Sequence, residues 1–216
     1  MVVTVVANQT DSYHRLIRSL NVYRYKYEVY SQVNDDDTVR ILRENLARYQ
    51  KEKNTVILVV DAYNVIFTQG PEFVLNKFES FKPARIVFEA DDVCWPDENL
   101  QYDYPLVEGN EKRFLNSANY MGYAADIYEM ISGERETNDA QRFFTKLFLK
   151  EATQRSIVLD KRADIFMNLY AATDELELPT QGEDVYVKNV WTDSIPTVIH
   201  GHGPAKVNDK IRTRSY

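Results

Sequence analysis

A chain of 216 residues, 44% hydrophobic and 27% charged, has the composition of an ordinary globular protein with a sizeable core, and a single compact domain over residues 1–216 is expected. A net charge of −7 without a basic stripe argues against nucleic acid as the partner. No stretch approaches the roughly 20 apolar residues of a membrane span, and the lone cysteine, Cys94, excludes an internal disulfide.

The opening "VVTVVA" reads as a first buried strand rather than a signal peptide, with no basic segment before it and no small-residue cleavage site after it. "TDSYHRLIRSLNVY" follows as a helix that Thr10 or Asp11 can cap, with Leu16, Ile17 and Leu20 on one face. "YKYEVY" is a second short strand and "DDDTVRILRENLARYQKEK" a capped amphipathic helix. "TVILVV" is a continuous apolar strand of the kind buried on both faces of a parallel sheet. "PEFVLNKFESF", with Pro71 suited to a first helical turn, leads to "ARIVFEA", a strand ending in acids. This alternation is Rossmann-like, and the fold class is α/β.

Beyond it the rhythm loosens. "DDVCWPDENLQYDYPLVEGNEKR" is too long for an ordinary connection and is a candidate lid or binding loop. Helices are expected near "GYAADIYEMISG" and "NDAQRFFTKLFLKEA", and short strands around "SIVLD" and "EDVYVKNVW". No repeat, low-complexity tract or linker divides the chain. The 15 tyrosines and 10 phenylalanines are many for this length; some can line a sugar or peptide groove, while packing accounts for most.

In "ILVVDAYNVIF" a buried strand runs straight into Asp61. Ligands of open α/β sheets bind outside the carboxyl ends of the strands, so an acid there is held at the ligand edge. An aspartate at a strand end also serves simply to cap the next turn. The blocks "DAYNVIF", "FEADDVCWPD", "KRFLNSANYMGYA", "AQRFFTKLFL", "IVLDKRADIFMNLYAATDEL" and "PTVIHGHGPAKV" extend the pattern over nearly the whole chain. Together, and in this order, they resemble the glycosyltransferase domain of the procollagen lysyl hydroxylases.

The resemblance implies a GT-A fold, a Rossmann-like nucleotide-sugar domain. It implies an Mn2+-dependent, retaining transfer of glucose from UDP-glucose to galactosyl-hydroxylysine of collagen or a collagen-like protein. The iron-binding motif of a dioxygenase domain is absent from the sequence. The family's metal motif, Asp-x-x-Asp plus a histidine near the C-terminus, falls on Asp61, Asn64 and His200. Asn64 departs from the second Asp: an amide oxygen still coordinates Mn2+ but without the charge, which at about 4 Å and an effective dielectric near 20 is worth on the order of 4 kcal/mol before desolvation. Metal affinity without nucleotide is therefore expected to be poor, the diphosphate of UDP supplying what the protein lacks.

The same resemblance places Tyr63 on uracil with its hydroxyl free, Val5 and Ala7 on the uridine-contacting segment, and Gly201, Gly203 and Lys206 at the diphosphate. It assigns Asp91, Trp95 and Asn116 to the sugar side. Asp139 is what remains of an acidic run, and a helix N-cap is its equal alternative. The run Asp35 to Asp37 has no counterpart and reads as a solvated turn and cap. The alternatives to the glucosyltransferase are a UDP-galactose-dependent hydroxylysine galactosyltransferase and a non-catalytic UDP-sugar or collagen-binding module. Pairing into a homodimer through exposed aromatics is a further expectation. With no visible signal, a cytoplasmic location, for instance in a large virus that glycosylates its own collagen-like proteins, is expected over the endoplasmic reticulum lumen.

Overall fold

The computed structural model describes residues 1–32, 37–133, 139–170, 174–181 and 184–201. Apolar runs and helical periods alternate as the sequence reading has it: β1 (Val2–Val6), α1 (Asp11–Val22), β2 (Tyr27–Ser31), α2 (Thr38–Leu46), β3 (Val56–Asp61). Then come β4 (Val65–Phe67), α3 (Pro71–Ser80), β5 (Ile86–Asp91), β6 (Phe114–Tyr123), α4 (Ala124–Ser132), α5 (Ala140–Arg155), β7 (Ile157–Asp160) and β8 (Phe166–Asn168). The last third adds four two-residue strands, β9 (Leu176–Glu177), β10 (Thr180–Gln181), β11 (Asp184–Val185) and β12 (Lys188–Asn189), before β13 (Val198–His200).

Two helices are capped by side chains. Thr10, not Asp11, caps α1, its hydroxyl accepting the Tyr13 N–H at 3.3 Å, and Asp139 caps α5 by accepting from Arg142 N at 2.9 Å. Asp37 precedes α2 but makes no capping bond; its carboxylate pairs with Arg40 instead. Asp35 and Asp36 lie outside the described residues.

The main sheet has the order β2-β1-β3-β6-β5-β7. β1 pairs in parallel with β2 and β3, and β5 with β7, but β6 runs antiparallel to both β3 and β5. The expectation that β3 lies in an all-parallel sheet is therefore corrected: its second neighbour is an antiparallel strand of ten residues that the sequence reading divided between a motif and a helix start. Gly122 explains both the misreading and the pairing. A Cβ there would stand 2.8 Å from the Arg85 carbonyl oxygen, so only glycine lets β6 approach β5.

Each face of the sheet buries its own core. Val3, Val5, Ile57, Val59, Ile86 and Phe88 pack under α2, α4 and α5. The opposite face, with Val2, Leu58, Val60, Val87 and Met121, meets Leu16 and Leu20 of α1, Val74 and Phe78 of α3, and a second sheet. That second sheet has the order β4-β13-β8 and carries the C-terminal end of the described chain back to the edge where β3 ends. Each fully buried Leu, Ile or Phe contributes about 1.5–3 kcal/mol.

One polar atom in this core is unpaired among the described residues. Tyr120 of β6 stacks on Phe88 with centroids 4.7 Å apart and lies beside Phe144, yet its hydroxyl has no hydrogen-bond partner. A buried, unsatisfied hydroxyl costs about 1–3 kcal/mol. Tyr120→Phe keeps the ring and is expected to raise stability by about 1 kcal/mol, read as a higher urea midpoint at unchanged slope. A lowered midpoint would show that the hydroxyl has found a partner.

Candidate functional site

Asp61 ends β3, and its carboxylate does two things. Oδ1 accepts the Tyr63 N–H at 3.1 Å, capping the turn, while Oδ2 faces Nε2 of His200 at 3.7 Å. The turn-capping reading of this acid is realised, and its other oxygen is turned to the imidazole. The turn that follows is set by Asn64, whose φ of 55° is left-handed, a conformation that Asn tolerates better than most residues. From there the Asn64 carbonyl accepts the Gly201 N–H at 2.8 Å. β4 pairs with β13 so that Val65 lies opposite His200. Local turn chemistry and one short ladder bring a histidine near the C-terminus onto the first acid.

His200 is almost wholly buried, and what meets it is Glu89, a fully buried acid on β5 that the sequence reading passed over. Nδ1 of His200 lies 3.1 and 3.0 Å from the two Glu89 oxygens. Asn119 completes a ring: its amide donates to Glu89 at 2.7 Å and its carbonyl oxygen accepts the Asp61 N–H at 3.2 Å. A register shift makes this reach available. Phe88 pairs with Tyr120 and the next residue, Glu89, with Asn116, so β6 bulges between them and turns Asn119 toward the acid. Burial by itself lowers the basicity of the His200 imidazole, but the flanking Glu89 and Asp61 carboxylates outweigh it and push its pKa up to about 10.

Asp91 lies on the same face of β5 as Glu89, two residues on. Its carboxylate accepts from Asp92 N, Val93 N, Asn116 Nδ2 and Asn168 Nδ2, at 2.7 to 3.2 Å. Desolvation, then the charge of Glu89, raises its pKa. Asn116 is buried, and its own oxygen accepts from Ala118 N. Asp91 and Asn116 thus form a joint between β5, β6 and β8.

The cleft at this edge is about 200 Å³, with Val5, Asp61, Tyr63, Ser117, Ala118 and Phe144 in its walls. Val5 lies near the end of β1 and Tyr63 in the turn after β3. The Tyr63 hydroxyl is not as expected: it accepts from Ala7 N at 3.2 Å and Asn8 N at 3.0 Å and faces the Asn8 carbonyl oxygen. It is not free. The bonds lock the ring in place and occupy the Ala7 N–H.

Trp95 is 64% exposed on the long loop, so it is not a core residue. The loop is pinned behind it, because the Arg113 guanidinium donates to the carbonyls of Gln101, Tyr104 and Pro105 and Tyr104 is buried against Phe114 and Phe148. Asp139 carries the N-cap bond already described and an ion pair with Arg142. Gly203 and Lys206 lie outside the described residues.

Among the described residues no group of three or more His, Cys, Asp or Glu side chains gathers as a metal site. The donor set offered is one carboxylate and one imidazole, with the Asn64 amide in the adjoining turn. The 3.7 Å between Asp61 Oδ2 and His200 Nε2 can be spanned by one ion, since two ligand bonds of about 2.1 Å each reach across it. The residues present therefore fit a divalent cation, with room left for ligands that the protein does not supply.

A family model described as the PLOD GT domain matches residues 1–211. The chain is 36% identical to procollagen-lysine,2-oxoglutarate 5-dioxygenase 1 of Rattus norvegicus, over 96% of this chain and 30% of that protein. It is 35% identical to the Drosophila melanogaster procollagen-lysine,2-oxoglutarate 5-dioxygenase, covering 96% of this chain and 31% of that one. To the multifunctional procollagen lysine hydroxylase and glycosyltransferase LH3 of Pongo abelii it is 33% identical, over 96% and 30%. The chain thus spans about a third of the length of the curated relatives it matches. Among solved structures, apo mouse xyloside xylosyltransferase 1 superposes with a TM-score of 0.55 at 10% identity, covering 95% of this chain and 98% of that one, which shows a GT-A fold.

The charge on His200 has a measurable signature. Its pKa rises from an unfolded value of 6.5 to about 10 in the fold, so its stabilising contribution is complete below pH 6.5 and is lost as pH climbs toward 10. Urea titrations of metal-free protein across this range are expected to show stability falling with pH, and the fall is expected to shrink in His200→Gln. Equal slopes in the two proteins would mean that His200 is neutral throughout.

Proposed function

Because the chain belongs to the glycosyltransferase-domain family of the procollagen lysyl hydroxylases, we propose that it transfers glucose, with retention, from UDP-glucose to galactosyl-hydroxylysine of collagen or a collagen-like protein with the help of Mn2+. The observation that carries this reading is the pairing of Asp61 with His200 at the strand edge, beside a cleft walled by Tyr63 and Val5. Asp61 and His200 are the residues that would hold the ion, and the mixed oxygen and imidazole set suits Mn2+ better than Ca2+. When bound, the cation stabilises negative charge on the departing diphosphate.

The rest of the chemistry falls to the chain itself. The Tyr63 ring, fixed by its bonds to Ala7 and Asn8, offers a flat apolar face for a nucleobase. Gly201, tied to Asn64, lets the backbone come close to a diphosphate. The exposed Trp95 indole is available to a sugar or to the acceptor. Among the described residues none stands as a nucleophile. A front-face transfer needs none, because the leaving phosphate oxygen takes the acceptor proton.

Release of UDP from UDP-glucose and UDP-galactose, with and without Mn2+, on galactosylated or bare collagen peptide, tests the proposal. Mn2+-dependent release from UDP-glucose only with galactosylated peptide is the expected result. Preference for UDP-galactose with bare peptide would make the domain a galactosyltransferase, and UDP-sugar binding without release would make it a binding module. Asp61→Ala is expected to lower turnover at least a hundredfold while the circular dichroism spectrum is unchanged. Undiminished Mn2+-dependent turnover in that variant would remove Asp61 from the site.

Asn64 supplies a second test. Asn64→Asp adds a charge to a turn that accepts Asp as well as Asn in its left-handed conformation, so tighter Mn2+ binding without UDP is expected by isothermal titration. Turnover need not follow, since stronger ground-state binding does not of itself lower a barrier. Identical affinities would show that the residue 64 side chain faces away from the ion.

A further inference from the structure

Glu89 is the most deeply buried charged group at the edge where Asp61 and His200 meet, and no role in the chemistry proposed above depends on it. It is fully buried, as is Asn119. Burying a carboxylate costs several kcal/mol unless hydrogen bonds repay it. A residue needed only to fill this space between β5 and β6 would be apolar, as Ile86, Val87, Phe88 and Ala90 on the same strand are. What the carboxylate contacts is specific: both oxygens address Nδ1 of His200, and Oε2 also accepts from Asn119, whose other amide atom takes the Asp61 N–H. One acid thereby holds the imidazole of one candidate ligand and, through a single amide, the main chain of the other.

We propose that Glu89 is a positioning residue for the cation site. It holds the proton of His200 on Nδ1, leaves Nε2 directed at Asp61, and through Asn119 sets the distance between the two donors. A histidine ligand commonly gives its second ring N–H to a carboxylate, which fixes both tautomer and ring orientation. The amide adds a directional constraint. Asn119 donates to Glu89 with its nitrogen and accepts from Asp61 with its oxygen, an orientation that a carboxylate on one side and an N–H on the other both enforce. In Glu89→Gln the new amide has one acceptor for two donors. If its oxygen stays on His200, its NH2 opposes that of Asn119, and the flip that relieves this turns an NH2 toward the Asp61 N–H. The disturbance therefore reaches both ligands although neither has been substituted.

This inference rests on the metal reading above, and the experiment separates the two. Mn2+ binding in the presence of UDP, followed by the loss of the free-ion electron paramagnetic resonance signal, is compared for wild type, Glu89→Gln and His200→Ala. Glu89→Gln is expected to weaken Mn2+ binding about 10- to 100-fold, approaching His200→Ala, measured at a temperature where circular dichroism shows the variant folded. An unchanged Mn2+ affinity in Glu89→Gln overturns the role of Glu89 and leaves the metal site standing. Wild-type protein that takes up no Mn2+ overturns both. A second measurement does not depend on how the variant folds: nitrogen-15 spectra of the metal-free wild-type imidazole are expected to show a slowly exchanging proton on Nδ1 of His200. Its absence overturns the proposal.

Discussion

The site depends on a buried carboxylate that cannot be left alone. Glu89 sits inside the protein without solvent, and a charge in that position is tolerated only when donors surround it. The donors come from distant parts of the chain: Asn119 from the bulge of β6 and His200 from the end of β13, the latter 111 residues away in sequence. Satisfying Glu89 therefore demands that β6 break its register, that β13 return to the edge of the sheet, and that β4 and β13 pair to hold it there. Removing one partner of such a group typically costs 3–5 kcal/mol, so the convergence of strands at this edge is enforced and not incidental. The polar ring and the site geometry are one construction.

A second network, one pleat further along β5, does related work with different consequences. Asp91 joins β5 to Asn116 of β6 and Asn168 of β8. The buried ammonium of Lys112 bridges Asp92 and Glu175, and Glu175 in turn takes the amide of Asn189. These bonds fasten the C-terminal strands to the main sheet and fix both ends of the long loop, whose middle the Arg113 guanidinium also grips. The loop is thus a scaffolded platform carrying an exposed indole. The acids at the end of β5 thus carry architecture, while Trp95 stands exposed on the loop they help to fix.

Much of this was legible in the sequence, for identifiable reasons. Strands with unbroken apolar runs and helices with clean faces, β1, α1, β3, α3 and α5 among them, declare themselves through periodicity and caps. β6 does not, because its centre carries Asn116, Asn119 and Gly122, residues rare in strands, and each is there for a tertiary reason: a joint, a ring and a close approach. β4 and β13, three residues each, are too short to have a period. Asp61 and His200 were found by motif order, and the structure brings them together. Glu89 carries no motif assignment, yet two acids spaced by two in the otherwise apolar "IVFEAD" put both on one face, a readable signal. The Tyr63 hydroxyl could not be read at all, since its partners belong to a turn 55 residues earlier.

The turn at Asn64 joins backbone and ligand chemistry at one position. The chain must reverse direction between β3 and β4, and it does so through a left-handed residue whose carbonyl also anchors Gly201 and hence the strand that bears His200. Asn and Asp both tolerate that φ, so the backbone does not account for the missing charge, and Glu89 is turned inward to the imidazole and does not replace it. On the proposed reading, the protein alone presents a cation with one carboxylate and one imidazole, a set too weakly charged to hold it well. The oxygens of a nucleotide diphosphate would complete the shell, and metal and donor would then bind as a unit.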